Sequence, residues 1–241
     1  MRHVRSLEAA AAFVDRVGLA LVFPRDGIVL PSLFEAVAGP GPTPWVGERP
    51  DGKLTMTPEL SRVWAWKDEL AESRLVCAGK HLTGRPALVS LRLLPALYAS
   101  TGRSGAPADF REVVLPTLER EVAEAVLETA PADARDLRRA VGIRDTARVG
   151  RAIDSLQRRL VLTRAGTVQR EQGWPGTAYD VLSRRYPVGR RPALDEAHAE
   201  LAGAVLSAAG EVTAADLSRA LGLTRAEAVA ALERSRARLD P

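Results

Sequence analysis

Apolar residues recur at helical spacing in three separate parts of this chain, and two of those parts run on into short strand-like segments. The middle third is clearest. Residues 118–130, LEREVAEAVLETA, place Val122, Val126 and Leu127 on one helical face. Asp133 can cap a short helix, ARDLRRAVG, that ends at Gly142. Asp145 can cap a longer one, in which Val149, Ala152, Ile153, Leu156 and Leu160 form the apolar face. Arg148, Arg151, Ser155 and Arg158 then point away from it. LVLTRAG reads as a strand with a turn at Ala165–Gly166, and TAYDVL (177–182) as its partner. Three helices and a hairpin is the order of a winged helix-turn-helix, in which the third helix enters the major groove and the hairpin touches the neighbouring backbone.

The flanking thirds vary this pattern. DLRRAVGI at 136–143 and DLSRALGL at 216–223 share Asp, Leu, Arg, Ala and Gly at the same offsets. Residues 193–209 predict a helix before the second copy, Thr213 a cap, and Thr224 the start of a last helix with mixed charges and no hairpin after it. At the other end, Ser6 can cap LEAAAAFVDRVG, and Pro31 suits the first turn of PSLFEAVAG. Residues 39–52 are too rich in proline and glycine for regular structure. Thr57-Pro58-Glu59 starts a third helix, with Leu60, Val63, Trp64 and Leu70 on one face and Trp66 partly covered at the surface. RLVCA and ALVSL, joined by GKHLTGRP, read as a hairpin with Lys80, His81 and Arg85 at its tip. The fold class expected is mainly α with short β-hairpins (α+β), as tandem winged helix-turn-helix units over residues 1–115, 116–190 and 191–241.

Composition complicates any reading of charge. Of 34 basic residues only Lys53, Lys67 and Lys80 are lysines, and alanine is also abundant. Such a bias would put arginine on neutral surfaces too, so distribution has to decide. Residues 135–170 hold ten arginines against Asp136, Asp145 and Asp154, a net of +7, whereas the whole chain carries +4. The rest is therefore net negative, and the arginines are concentrated. A solvated charged face is the bland alternative. Gly150, near the start of the second capped helix on the side away from the core, would permit close backbone approach.

Several function classes fall away. The single cysteine, Cys77, excludes an internal disulfide framework, and in an apolar strand it reads as buried rather than nucleophilic. Scattered His3, His81 and His198 give no metal-ligand cluster, and neither a cofactor nor a phosphate loop is readable. The N-terminus lacks a signal-peptide core, and no run approaches the ~20 apolar residues of a membrane span. A soluble cytoplasmic protein without a membrane partner is expected.

Three consecutive winged-helix units, with LPSLFEAVAG, WAWKDEL and GRPALVSL in the first, resemble the AlkZ/YcaQ class of bacterial DNA glycosylases and their relatives. The resemblance implies binding of duplex DNA through tandem winged helices and a β-hairpin. In the enzymes of that class it implies excision of alkylated or crosslinked bases by a Gln-aliphatic-Gln or Gln-aliphatic-Asp motif in the N-terminal unit. The glutamines here are Gln157, Gln169 and Gln172, none of them in that unit, and Gln169-Arg170-Glu171 has arginine at the aliphatic position.

With that motif absent, the leading expectation is a non-enzymatic double-stranded-DNA-binding protein, a regulator or repair-associated binder. Arg148, Arg151, Ser155, Arg158 and Arg159 would form its recognition helix. Arg164, Thr167 and Arg170 would be wing contacts, with Lys80, His81 and Arg85 across a shared channel about 20 Å wide, enough for a duplex to neutralise charge on both sides. A glycosylase with a displaced catalytic carboxylate, Asp68 or Glu69, is the alternative. These two follow one another on a helix and cannot face each other as a pair. Lys67–Glu69 as a solvated turn is the simpler reading. A docking role for the last unit is the third possibility.

Overall fold

Side-chain caps begin the helices largely where the sequence signals them. In this computed structural model the residues described are 4–41, 47–48, 54–82, 84–173 and 175–239. His3, Lys53 and most of the proline-glycine segment lie outside them. Ser6 caps α1 (Leu7–Val17), and Ser32 with Glu35 forms a reciprocal capping box on α2 (Leu33–Ala38). Pro31 therefore precedes the cap instead of occupying the first turn. Between the two helices runs β1 (Leu19–Leu21). A short pair, β2 (Gly47–Glu48) and β3 (Leu54–Thr55), brings regular structure into the proline-glycine segment, where none was expected. Thr57 caps α3 (Pro58–Glu72). Next come β4 (Cys77–Leu82) and β5 (Arg85–Val89), which pair antiparallel with β1 in the order β1-β5-β4.

After α4 (Leu94–Ala99) and a 3-10 turn at Asp109–Glu112, the order of elements repeats. It runs α5 (Thr117–Thr129), β6 (Ala132–Asp133), α6 (Ala134–Ala140), α7 (Thr146–Arg158), β7 (Leu162–Val168) and β8 (Gly176–Val181). The second sheet, β6-β8-β7, has the same strand order as the first. Asp133 and Asp145 cap α6 and α7 as expected. After α8 (Leu182–Arg185), three helices end the described chain: α9 (Leu194–Ala209), α10 (Ala214–Leu221) and α11 (Arg225–Leu239). Eleven α-helices and two small three-stranded antiparallel sheets thus make a mixed α/β fold among the described residues. None of these helices is long and apolar enough to cross a membrane.

Both faces of the first sheet are buried, which is why its strands read as unbroken apolar runs rather than alternating ones. Ala20, Val22, Ala78 and Leu88 face α1–α3. Leu19, Leu21, Cys77 and Val89 face α4 and the C-terminal helices, where Leu201, Val205, Leu217 and Leu232 complete the same core. A third core joins α5–α7 to the second sheet.

Four local expectations change. The first hairpin is tighter than predicted, so Lys80 and His81 lie inside β4, not at a tip. On α3 it is Trp66 that is buried, while Trp64 is 45 % exposed. Residues 67–69 are helical, not a turn, and Lys67 is buried because β7 covers that side of α3. The Ala165–Gly166 step is an irregularity within β7, not a turn: a Cβ at Gly166 (φ +111) would lie 2.9 Å from Glu72 Cβ.

Where α7 ends, Leu160 takes a left-handed conformation (φ +57), with Leu160 N–H donating to Gln157 O and Val161 N–H to Leu156 O. Glycine usually fills this C′ position, and a leucine there costs roughly 1–2 kcal/mol of backbone strain. A buried arginine stabilises the arrangement. Arg103 Nη2 donates to the carbonyls of Arg159 and Leu160, both at 2.9 Å, and Nη1 to Asp109 Oδ1 at 2.9 Å. Asp109 also accepts from Tyr98 Oη and from Gly105 N–H (2.9 Å). Arg103 and Asp109 are 2 % and 1 % exposed, so removing either strands a buried charge. Arg103→Ala or Asp109→Ala should each lower unfolding stability by about 3–5 kcal/mol in urea titration. A loss under ~1 kcal/mol would show that the pair carries no such weight.

Candidate nucleic-acid interface

The two sides of α7 meet different surroundings. Its apolar side, Val149, Ala152, Ile153 and Leu156, is buried under α5, α6 and the second sheet. A flank next to it is taken by β4. Lys80 N–H donates to Gln157 Oε1 (3.1 Å), Lys80 Nζ pairs with Asp154 Oδ2 (2.6 Å), and His81 Nδ1 bonds Gln157 O (2.9 Å). What remains open is the stripe Arg148, Arg151, Ser155 and Arg158, recurring at three- and four-residue steps. The three arginines are exposed and Ser155 is half-buried. None of the three makes an ion pair among the described residues. A side chain at Gly150 would meet nothing within 4 Å.

The other candidates divide between that surface and the packing behind it. Arg85 is exposed beside the hairpin turn, where Gly84 lies over the Arg158 side chain. Arg159 is half-exposed, with its Nε 3.4 Å from Glu119 Oε2. Arg164 is mostly covered and pairs with Asp68 at 3.5 Å. Arg170 is held by Asp133 and Asp136, and Thr167 is half-buried in the β7–β8 ladder. Burial opposes ionisation of Asp133, but the Arg170 bond and two backbone N–H donors outweigh it and hold the carboxyl below its usual range.

His81 is buried and cannot reach a partner outside the protein. With β4 in direct contact with α7, no duplex-wide channel separates Lys80 from the helix, so the expected arrangement of facing walls is replaced by adjacent elements. Asp68, offered as a displaced catalytic carboxylate, lies between Lys67 and Arg164. Burial lowers the Lys67 ammonium from its ordinary range, against the Asp68 bond that raises it. Glu69 is exposed. Neither carboxylate lines a cleft at the end of α7, where Arg103, Arg158 and Arg159 surround about 240 Å3. Among the described residues, no group of three or more His, Cys, Asp or Glu side chains is placed to hold a metal ion.

Sequence reasoning missed the residues that hold α7 in position: Gln157, Asp154 and Arg103. Gln157 is the one with a signal, a polar residue beside the apolar positions 153, 156 and 160.

A family profile described as AlkZ related matches residues 4–222, which takes in every described element except α11. The chain belongs to the AlkZ-related family. Membership suggests a relationship to DNA-repair, glycosylase-like proteins and an interaction with DNA. No curated protein and no solved structure matches the chain.

In this AlkZ-related chain the contact between β4 and α7 is pH-sensitive by construction. A carbonyl only accepts, so His81 Nδ1 carries the proton and Nε2 faces the Cys77 thiol at 3.5 Å. Burial pushes His81 down to about 4 and Cys77 up to about 12. The unfolded chain, whose imidazole titrates near 6.5, therefore binds more protons than the folded one between those values. Stability from this site is complete above pH ~6.5 and falls by on the order of 3 kcal/mol as pH drops through about 4. Denaturation midpoints across that range should decline less steeply in His81→Gln than in wild type; parallel declines would refute the assignment.

Proposed function

We propose that the chain is a duplex-DNA-binding protein of tandem winged-helix architecture, associated with repair, in which α7 enters the major groove. The element order helix-strand-helix-helix-strand-strand, twice over, with the third strand between the first two in each sheet, supports the architecture. The observation that carries the reading is the unpaired stripe of Arg148, Arg151 and Arg158, with Ser155 between them and open space at Gly150. Cations left without internal partners on one exposed face retain their full charge for phosphates, whose condensed counterions they release. Arg85 and Arg159 extend the face on either side, and Arg164 and Arg170, already paired with carboxylates, contribute less. The second helix-turn-helix copy, α10–α11, carries mixed charge, which suits a docking role.

Family membership decides which duplexes to compare. Intact, abasic and alkylated duplexes should all bind, with log K falling linearly in log salt. Arg148→Glu with Arg151→Glu should weaken binding by at least about tenfold and reduce the salt slope by about 2, one phosphate contact per residue at roughly 0.9 each. Unchanged affinity and slope would remove α7 from the interface. Release of a free base that persists in Asp68→Asn and Glu69→Gln would show excision by other groups, and release lost in either would support the displaced-carboxylate glycosylase.

A further inference from the structure

A second cationic site lies away from α7, at the seam where α1, the turn after β5, α9 and α11 meet. A cleft of about 310 Å3 there is lined by Arg16, Arg92 and Arg238, one from each of three segments, with Glu200 as the carboxylate among its lining residues. None of the three guanidiniums has an ion-pair partner among the described residues. Arg92 donates to the backbone carbonyl of Asp15 at 3.3 and 3.2 Å, and Arg16 lies 5.8 Å over the Phe13 ring. The Asp15 carboxylate is engaged elsewhere, accepting from Ser90 Oγ at 2.6 Å.

Two further features show that the seam is built. Ser235 is 3 % exposed, lines the cleft, and its hydroxyl makes no hydrogen bond among the described residues. That hydroxyl is accessible from the cleft and free to donate into it. Opposite it, Gly203 sits within α9, where glycine is the poorest helix former after proline. A Cβ there would lie 3.0 Å from Ser235 Oγ. At Gly18 (φ +79) the backbone packs closely beside the cleft, where a Cβ would meet Leu93, Ala204 and the Arg92 guanidinium.

We propose that this seam binds a phosphate-class anion, inorganic phosphate or a small phosphomonoester, independently of the α7 face. Three forked guanidiniums approaching from three segments match a tetrahedral anion with three charged oxygens better than a planar carboxylate with two. Ser235 Oγ donates a further bond from the floor. Because α1 and Arg92 belong to the first unit and α9 and α11 to the last, the bound anion ties the two together.

The full-length chain is titrated calorimetrically, and melted, with inorganic phosphate and with a nucleoside monophosphate, against acetate at matched ionic strength. Phosphate and the monophosphate should raise the melting temperature where acetate does not. Arg238→Ser and Arg16→Ser should each weaken phosphate binding at least tenfold, and because both side chains are exposed their loss leaves folding intact. The Arg148→Glu, Arg151→Glu variant should keep the full phosphate response, so this site and the α7 face fail or survive separately. Equal stabilisation by acetate, or wild-type phosphate affinity in both seam variants, would overturn the proposal. So would a loss of duplex affinity in Arg238→Ser as large as in the α7 variant, since the seam would then be part of the DNA contact.

Discussion

The ion pair between Arg103 and Asp109 fixes α4, the segment after it and the end of α7 relative to one another, because neither buried charge is tolerated without the other. Both groups are withdrawn from water, and an uncompensated buried ion costs several kcal/mol. The pair is tolerated because each remaining donor and acceptor finds a specific partner: the last carbonyls of α7, the Tyr98 hydroxyl, the Gly105 N–H. Those partners come from α4, the linker after it and α7, so satisfying one carboxylate and one guanidinium sets the relation between three segments. Ser183 joins from α8, donating to Ala106 O at 2.9 Å.

The same device recurs in the opposite direction. Arg185, just after the second sheet, donates to the carbonyls of Ala71 and Glu72 at the end of α3. Each of the first two units thus has the C-terminus of its third helix capped by an arginine from outside it, where a cation meets the negative end of the helix dipole. Arg184 does the same for α5, through Leu127 O and Val126 O. Arginine richness therefore has a structural component, and residue type alone does not separate these side chains from Arg148, Arg151 and Arg158. Burial and the presence of an acceptor do.

What leaves the α7 stripe free is how its other sides are used. Core packing covers one side, and β4 covers the next through Lys80, His81 and Gln157. Asp154 neutralises Lys80 at that contact, so the hairpin adds little charge of its own to the open face. The third helix of the first unit is treated differently. β7 packs over one flank of α3 and draws Lys67, Asp68 and Arg164 into one mostly covered network, so the two repeats share an element order but not a free row of cations.

Local chemistry determined much of this before any tertiary contact formed. Ser6, Thr57, Asp133, Asp145 and Thr213 mark helix starts because a side-chain oxygen beside unpaired N–H groups is a short-range interaction that depends only on neighbouring residues. The apolar stripe of α7 is legible for the same reason, since 3.6-residue periodicity is written in one segment. The fate of individual charges was not legible. Arg103, Arg164, Arg170 and Arg185 look like Arg148 in the sequence, and only the fold brings Asp109, Asp68, Asp133 and the carbonyls of α3 to them. The burial of Trp66 was likewise decided by the fold, which sets it in the core shared by α1–α3 and the first sheet and leaves Trp64 open. A helix wheel shows which residues share a face, but which face is covered depends on what packs there, and that is set by partners distant in the chain.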